Sequence, residues 1–229
     1  MTRAWSYSSI KTFEQCPKKY YHLKVAKDFK DEGGEAAQYG TEAHEAAENF
    51  VKHGTPIPPK YAVIAPAAAA VAAMPGEKHT ELKLGVGRVR DEDGIWCYRP
   101  CDFFHPNVWW RGIVDVLVTN GAKARMLDYK TGKSSRYADL KQLDLMAGAV
   151  FVHFPEVMQI KSGLAFVVPG DFVPKVHNRL EMNQYLNVFN KQLAQLDQAH
   201  AADVWNPISG PLCGWCPVTT CQHHRPRRR

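Results

Sequence analysis

The residues best suited to chemistry are two aspartates and a lysine at the ends of neighbouring apolar segments. Asp115 lies in Arg111–Val118, and thirteen residues later Asp128 ends Ala124–Asp128. If these segments pair as a hairpin through the intervening Thr-Asn-Gly turn, the two carboxylates converge. Paired carboxylates repel unless a cation separates them, and Mg²⁺ or Mn²⁺ favours such oxygen ligands. Lys130 shares a strand face with Asp128, so the pattern indicates metal-assisted phosphodiester hydrolysis.

A second group of metal-ligating residues lies near the C-terminus. Cys213, Cys216 and Cys221 follow the spacing Cys-x2-Cys-x4-Cys, which lets three thiolates reach one metal centre. A zinc site would accept three cysteines and one histidine, whereas an iron–sulfur cluster prefers four thiolates. The candidates for the fourth ligand are Cys16, His223 and His224, followed by Cys97 and Cys101.

Composition favours a soluble globular protein with an anionic partner. The chain has 229 residues, 45% hydrophobic and 23% charged, and a net charge of +6. This balance favours nucleic acid first and a membrane surface second. The residues that we expect to contact DNA are Lys18, Lys19, Arg225, Arg227, Arg228 and Arg229.

The chain shows no targeting or membrane segment. No apolar run approaches eighteen residues, and the N-terminus lacks the apolar core of a signal peptide. We therefore expect a cytoplasmic protein, in the host cytoplasm if the protein is viral. The six cysteines in a reducing compartment then favour metal or cluster ligation over disulfides.

The order of elements predicts one α/β core with an N-terminal helical part. Residues 1–229 are expected to form a single domain, with a helical part at 1–76, a core at 77–204, and a cysteine loop with a basic tail at 205–229. The predicted helices are Ser8–Lys24 (capped by Ser8 or Ser9 and interrupted at Pro17), Ala36–Lys52, Tyr61–Met74 (broken at Pro66), Ala138–Phe154 and Asn178–Ala202. The predicted strands are Thr80–Val89, Gly94–Tyr98, Val108–Val118, Arg125–Asp128 and Val157–Val168.

Several short motifs follow one another in a fixed order. They are Cys16-Pro17 in the first predicted helix, Gly40-x3-His44, Gly112-x2-Asp115, Asp128-x-Lys130 and the C-terminal cysteine triplet. In this order and nearly end to end, the chain resembles the PD-(D/E)XK nuclease superfamily. The resemblance is to its RecB-like branch, which includes the iron–sulfur nucleases of the AddB and CRISPR-adaptation type. It implies a restriction-endonuclease-like core, with a mixed central sheet flanked by helices.

The resemblance also implies roles for individual residues. His44, Asp115, Asp128 and the backbone carbonyl of Tyr129 would bind Mg²⁺ or Mn²⁺, and Lys130 would orient the attacking water. Cys16, Cys213, Cys216 and Cys221 would hold a 4Fe-4S cluster, with zinc as the alternative. The family usually continues with Gln-x3-Tyr on a helix. Here Gln142 is present, and Met146 occupies the tyrosine position.

Three functions remain open from the sequence. The leading interpretation is a metal-dependent DNA exonuclease, with a helicase, recombination or CRISPR protein as a partner. The others are a non-catalytic nucleic-acid-binding module and a zinc-bound interaction protein.

Glu81 is either an extra carboxylate near the metal or an exposed strand residue. Thr131-Gly132-Lys133-Ser134 resembles the end of a phosphate-binding loop, but the required upstream glycine is absent, so no ATPase activity is expected.

Overall fold

The computed structural model describes residues 3–225 of the chain. By their internal contacts, the residues form two compact units. Within residues 3–225, one unit comprises Gly34–Val188 with residues 3–4, and the other comprises Trp5–Gly33 and residues 189–225. Among residues 3–225, no helix has both the length and the apolar character needed to cross a bilayer.

The larger unit is built around a mixed six-stranded sheet. Its strand order is β2-β1-β3-β4-β5-β6, and in the described part of the chain only β4 and β5 run parallel. The strands are β1 (Glu77–Arg90), β2 (Trp96–Cys101), β3 (Trp110–Asn120), β4 (Lys123–Lys130), β5 (Gln159–Phe166) and β6 (Asp171–Asn178). The helices of the chain are α1 (Tyr7–Gln15), α2 (Pro17–Tyr20), α3 (Glu35–His53), α4 (Ala65–Ala72), α5 (Lys141–His153), α6 (Met182–Leu186) and α7 (Asn190–Ala202). The predicted α/β class with a mixed central sheet flanked by helices is confirmed.

The hairpin of β3 and β4 forms as the sequence predicts. Val116 pairs with Leu127 and Asn120 with Lys123, in an antiparallel register. Gly121 has φ +56°, the left-handed conformation that a tight turn requires and glycine adopts without strain. The hairpin therefore brings Asp115 and Asp128 to the same end of two paired strands.

Helices cover the sheet because the strands bury apolar side chains. Ala43 and Ala47 of α3 and Ala68 of α4 pack in one cluster with Val116 and Val118 of β3. Small alanine side chains let these helices approach the sheet closely. Helix α5 is buried at every residue from 142 to 151, which is why its sequence is almost wholly apolar.

The N-terminal helix breaks at Cys16, as predicted. Helix α1 ends at Gln15, and Cys16 is both the last cap of α1 and the N-cap of α2, with Pro17 at the first helical position. The predicted cap was wrong, because Ser6 rather than Ser8 or Ser9 accepts the Ser9 N–H and forms a capping box.

Two other predicted helices differ from the structure. Tyr61–Met74 is a 3-10 turn, Pro59–Ile64, followed by α4, and Pro66 lies in the first turn of α4, where its missing N–H costs nothing. Asn178–Ala202 is not one helix. It comprises the end of β6, a 3-10 turn at Arg179–Glu181, α6 and α7.

Candidate active site and cysteine cavity

Two glycines permit close approaches around the site. A Cβ at Gly40 of α3 would lie 3.1 Å from Thr131 Oγ1, so α3 can come close to the end of β4. His44 lies one turn further along α3 and is thereby brought beside β4. A Cβ at Gly112 would lie 2.5 Å from the ring of Trp110, the fully buried first residue of β3. Glycine at position 112 therefore leaves the space that the buried indole occupies.

His44 bridges the two strands that carry the aspartates. Its Nε2 lies 3.1 Å from the backbone carbonyl oxygen of Tyr129, and its Nδ1 lies 3.3 Å from Asp115 Oδ2. The same Asp115 oxygen accepts the Tyr129 N–H at 2.8 Å. His44 thus lies close to both of the other predicted ligands, Asp115 and the Tyr129 carbonyl.

The contacts of His44 indicate the tautomer of its imidazole ring, that is, which of the two ring nitrogens carries the proton. A carbonyl oxygen can only accept, so the proton is assigned to Nε2. Burial lowers the pKa of His44, which keeps the imidazole neutral near pH 7. Nδ1 therefore presents a lone pair to a carboxylate oxygen. Two electron-pair donors 3.3 Å apart are compatible with a proton or a cation between them.

Glu81 completes a three-residue group with His44 and Asp115. One ligand atom from each of the three lies within 4.8 Å of the others, and no second group of this kind occurs among residues 3–225. Glu81 interrupts β1 with φ +49°, a left-handed conformation that is strained for a residue with a side chain. Burial raises the pKa of Glu81, and the neighbouring Glu48 charge raises it further.

Lys130 and Asp128 are joined by Gln142 of α5. Lys130 Nζ donates to Gln142 Oε1 at 3.0 Å, and Gln142 Nε2 donates to Asp128 Oδ1 at 2.6 Å. Lys130 Nζ also lies 2.5 Å from Asp128 Oδ2. The buried amide thus holds the ammonium and the carboxylate in one orientation.

The donor set fits a divalent cation. Burial raises the pKa of Asp115 well above its ordinary value, and the negative charge of Asp128 raises it further. Asp128 Oδ2 is buried, and the Lys130 ammonium lies 2.5 Å from it. Carboxylate oxygens with a neutral imidazole are ligands that Mg²⁺ and, more readily, Mn²⁺ accept. A cation here would offset the repulsion between the two aspartates.

Glu81 lies with the predicted metal ligands His44 and Asp115. Met146 does not face the site as a tyrosine that contacts substrate would. The sequence left Glu81 open because strand alternation does not reveal a left-handed residue within a strand. Met146 is 6% exposed within α5. It therefore packs in the core rather than at the site surface.

The four predicted cluster cysteines line one cavity in the smaller unit. The cavity has a volume of about 230 Å³ and also contacts Lys18, Lys19 and His224. Cys16 Sγ accepts the N–H groups of Lys19 at 3.5 Å and Ile208 at 3.4 Å. Burial raises the pKa of Cys216, the Val218 N–H and Lys19 lower it, and Cys16 and Cys221 raise it. Residues separated by about two hundred positions thus share one pocket.

A zinc ion bound by cysteines holds its sulfur ligands close together. Around one zinc ion with Zn–S bonds of about 2.3 Å, sulfurs lie about 3.8 Å apart. Within residues 3–225, no three of these sulfurs lie within 4.8 Å of one another. Cys97 and Cys101 lie on β2 in the other unit, and Cys97 Sγ contacts Asp91 Oδ2 at 3.6 Å.

The predicted DNA-contacting residues are only partly described. Lys18 and Lys19 border the cysteine cavity, and Lys19 Nζ pairs with Asp31 at 3.3 Å. Arg225 is exposed. Arg227, Arg228 and Arg229 lie outside the described residues.

Comparison with known proteins is informative at the level of family and fold. No curated protein matches the sequence. A solved structure named SSO0001 shares 10% identity at a TM-score of 0.42, covering 97% of this chain and 87% of its own. A "Putative exonuclease" from Eubacterium rectale shares 14% identity at a TM-score of 0.50, covering 98% of this chain and 89% of its own. The sequence profile of the PD-(D/E)XK nuclease superfamily matches residues 4–221. The chain belongs to the PD-(D/E)XK nuclease superfamily.

Proposed function

We propose that the protein is a divalent-metal-dependent DNA exonuclease, which hydrolyses phosphodiester bonds at DNA ends. One observation carries the proposal. The ligand atoms of His44, Glu81 and Asp115 lie within 4.8 Å of one another. On the neighbouring strand β4, Lys130 is held in place by a hydrogen bond to Gln142 of α5. A non-catalytic binding module would have no need of a buried, mutually repelling carboxylate pair beside an oriented ammonium.

Four side chains and one backbone carbonyl are proposed to hold the ion. They are His44, Glu81, Asp115, Asp128 and the Tyr129 carbonyl. A bound Mg²⁺ or Mn²⁺ supplies Lewis-acid polarisation of the phosphate and lowers the pKa of bound water. With this charge present, Asp115 is deprotonated despite its burial, because a nearby cation stabilises the ionised form.

Lys130 is proposed to orient the water and to stabilise the charge that develops on the phosphate. Its ammonium is fixed by Gln142 and Asp128, so little reorganisation accompanies the reaction. Gln142 is a positioning residue, because it contacts Lys130 and Asp128.

We also propose that the protein belongs to the RecB-like branch of the superfamily. It is supported by the order of the sequence motifs and by the shared cavity of Cys16, Cys213, Cys216 and Cys221. We propose a 4Fe-4S cluster in this cavity because four thiolates are the ligands that such a cluster prefers, with zinc as the alternative. We further propose a cytoplasmic role in DNA repair or recombination, of bacterial or phage origin, with a helicase or CRISPR protein as partner.

The direct test is digestion of DNA labelled at either the 5′ or the 3′ end, with Mg²⁺ or Mn²⁺. We expect mononucleotides or short products from linear DNA and no cleavage of covalently closed circles. Lys130→Ala purified in parallel controls for contaminating nucleases. Cleavage of closed circles would contradict the exonuclease assignment, and no cleavage of any substrate with either metal would contradict the nuclease.

Glu81→Gln is expected to weaken Mn²⁺ binding by about tenfold or more, because one anionic oxygen leaves the ligand group. Calorimetric titration of Mn²⁺ into the purified protein measures the effect without reference to activity. Glu45→Gln, an exposed change on α3, is the matched control. Equal Mn²⁺ affinity in wild type and Glu81→Gln would exclude Glu81 from the metal site.

Deletion of residues 225–229 is expected to reduce the salt dependence of DNA binding. Each phosphate contact that is lost lowers the slope of log K against log salt by about 0.7–0.9. Anisotropy titrations of a labelled oligonucleotide at several salt concentrations provide the slope. If the truncated and full-length proteins give the same slope, the arginine tail makes no phosphate contact.

A further inference from the structure

One face of β3 leads from the proposed site towards the loop that precedes the strand. Alternate residues of a strand share a face, and Arg111, Ile113 and Asp115 are all half-buried. The intervening Val114 is fully buried. The face that carries Asp115 is therefore partly open to solvent at Arg111 and Ile113.

Two phenylalanines lie against the arginine at the start of this face. The guanidinium of Arg111 lies 5.5 Å from the ring centre of Phe103 and 5.9 Å from that of Phe104. The two rings meet edge to face, with centres 5.0 Å apart. Phe104 is nevertheless 77% exposed, so one of its ring faces is largely uncovered. An exposed aromatic ring beside a guanidinium offers one surface that can stack a base and one group that can bind a phosphate.

Lys83 adds a second positive charge between this aromatic pair and the site. It pairs with Ile113 across the β1–β3 register, and directly opposed residues of antiparallel strands share a face. Lys83 is exposed. Arg111 and Lys83 therefore follow one direction from Phe104 towards Asp115.

We propose that Phe104 and Arg111 form a subsite for an unpaired nucleotide of the substrate strand, with the base stacked on Phe104 and its phosphate bound by Arg111. This inference rests on the proposed nuclease function and specifies its substrate as a single-stranded DNA end. Base stacking on aromatic rings and phosphate binding by arginine are the two contacts by which single strands are held without sequence readout. Bases within a duplex are stacked on each other and do not present a free face.

The distance to the metal ligands suits a short length of strand. Arg111 and Asp115 are four residues apart, which is about 13 Å at 3.3 Å per residue. This equals about four nucleotides at the stacked spacing of 3.4 Å, and fewer in an extended strand. The base held by Phe104 should therefore lie within about four nucleotides of the cleaved phosphate.

The test uses the full chain carrying Lys130→Ala, so that DNA is bound without being cut. Oligonucleotides contain one abasic position, moved stepwise from the end. With Phe104 present, we expect one position at which the missing base weakens binding by about five- to 150-fold. With Phe104→Ala, affinity for intact DNA should fall by a similar factor, and the abasic lesion at that position should cost nothing further.

Phe172→Ala is the matched control. Phe172 is 55% exposed and lies on β6, the edge strand opposite to β2. It should retain wild-type affinity and the same sensitivity to the abasic position. The subsite is refuted if Phe104→Ala binds intact DNA as tightly as the control, or if it keeps the full abasic effect. It is also refuted if Phe104→Ala merely converts an oligomer to a monomer without changing affinity. Binding with this pattern by a wild type that never cleaves DNA would support the subsite and contradict the proposed nuclease.

Discussion

Lys130→Ala is expected to lower the rate of DNA cleavage by about a hundredfold or more while leaving the fold intact. The ammonium contacts Gln142 Oε1 and Asp128, and its removal deletes a preorganised positive charge at the reacting phosphate. Loss of one such charge raises the barrier by about 3–4 kcal/mol. Single-turnover cleavage of a labelled strand at saturating enzyme measures the chemical step separately from binding.

Lys133→Ala provides the control for this change, since it removes an exposed lysine from the loop after β4. It should cleave DNA at the wild-type rate. Lys130→Ala should also keep its affinity for DNA, because a single contact is lost among several. Turnover by Lys130→Ala within a few-fold of wild type would refute the assignment of Lys130 as a catalytic residue.

Asp115→Ala should abolish cleavage because it removes a proposed metal ligand. Asp115→Asn separates the effect on activity from the effect on stability. Burial and the Asp128 charge raise the pKa of Asp115 above its unfolded value of about 3.9. A raised folded pKa stabilises the protein below the unfolded pKa, and this contribution is lost as pH rises through the folded pKa. At neutral pH and without metal, Asp115→Asn should therefore unfold at a higher denaturant concentration than wild type, although it is inactive. A lower midpoint would show that the carboxylate stabilises the fold.

Cys16→Ser is expected to remove iron and sulfide from the protein and to lower its melting temperature. Cys16 shares the cavity with the C-terminal cysteines, so a cluster there would link positions 16 and 221. A cross-link that closes so long a loop contributes about 5 kcal/mol in the chain-entropy model. At about 2–4 °C per kcal/mol, the melting temperature should fall by about 10–20 °C. Iron and sulfide assays, absorbance near 400 nm and calorimetry measure these changes.

Cys97→Ser is the control for the cysteine prediction. Cys97 lies on β2 and belongs to the other unit, so its loss should change neither iron content nor melting temperature. The four-cysteine cluster is ruled out if Cys16→Ser retains its full iron and sulfide. One equivalent of zinc bound through His223 or His224 would also rule it out. His224 lines the same cavity, and its Nδ1 makes no hydrogen bond in the described part of the chain.

The parts of the fold that the sequence predicts are those with local signals. The β3–β4 hairpin follows from a turn glycine between apolar segments, and the break at Cys16 follows from Pro17. Strand β6 was missed because it is an edge strand interrupted by Pro174, with Phe172 and Val176 exposed. An edge strand tolerates proline and needs little apolar alternation, so it resembles a loop in sequence.

The candidate site also has a part that could be predicted from the sequence and a part that could not. The proximity of Asp115, Asp128 and Lys130 could be predicted because one hairpin carries all three. The link from Lys130 through Gln142 to Asp128 could not be derived from spacing alone, since it depends on how α5 packs. The position of Glu81 depends on a left-handed residue within β1, which no periodicity encodes.

The parallel pairing of β4 and β5 has a consequence for when the nuclease becomes active during folding. Hairpins form within microseconds, so both aspartates and Lys130 can meet early. Gln142, however, lies on the crossover helix between β4 and β5, and parallel pairing closes a longer loop and forms more slowly. The ammonium is oriented only after that crossover has docked. A partly folded chain thus carries the acidic residues of a nuclease without its assembled catalytic geometry.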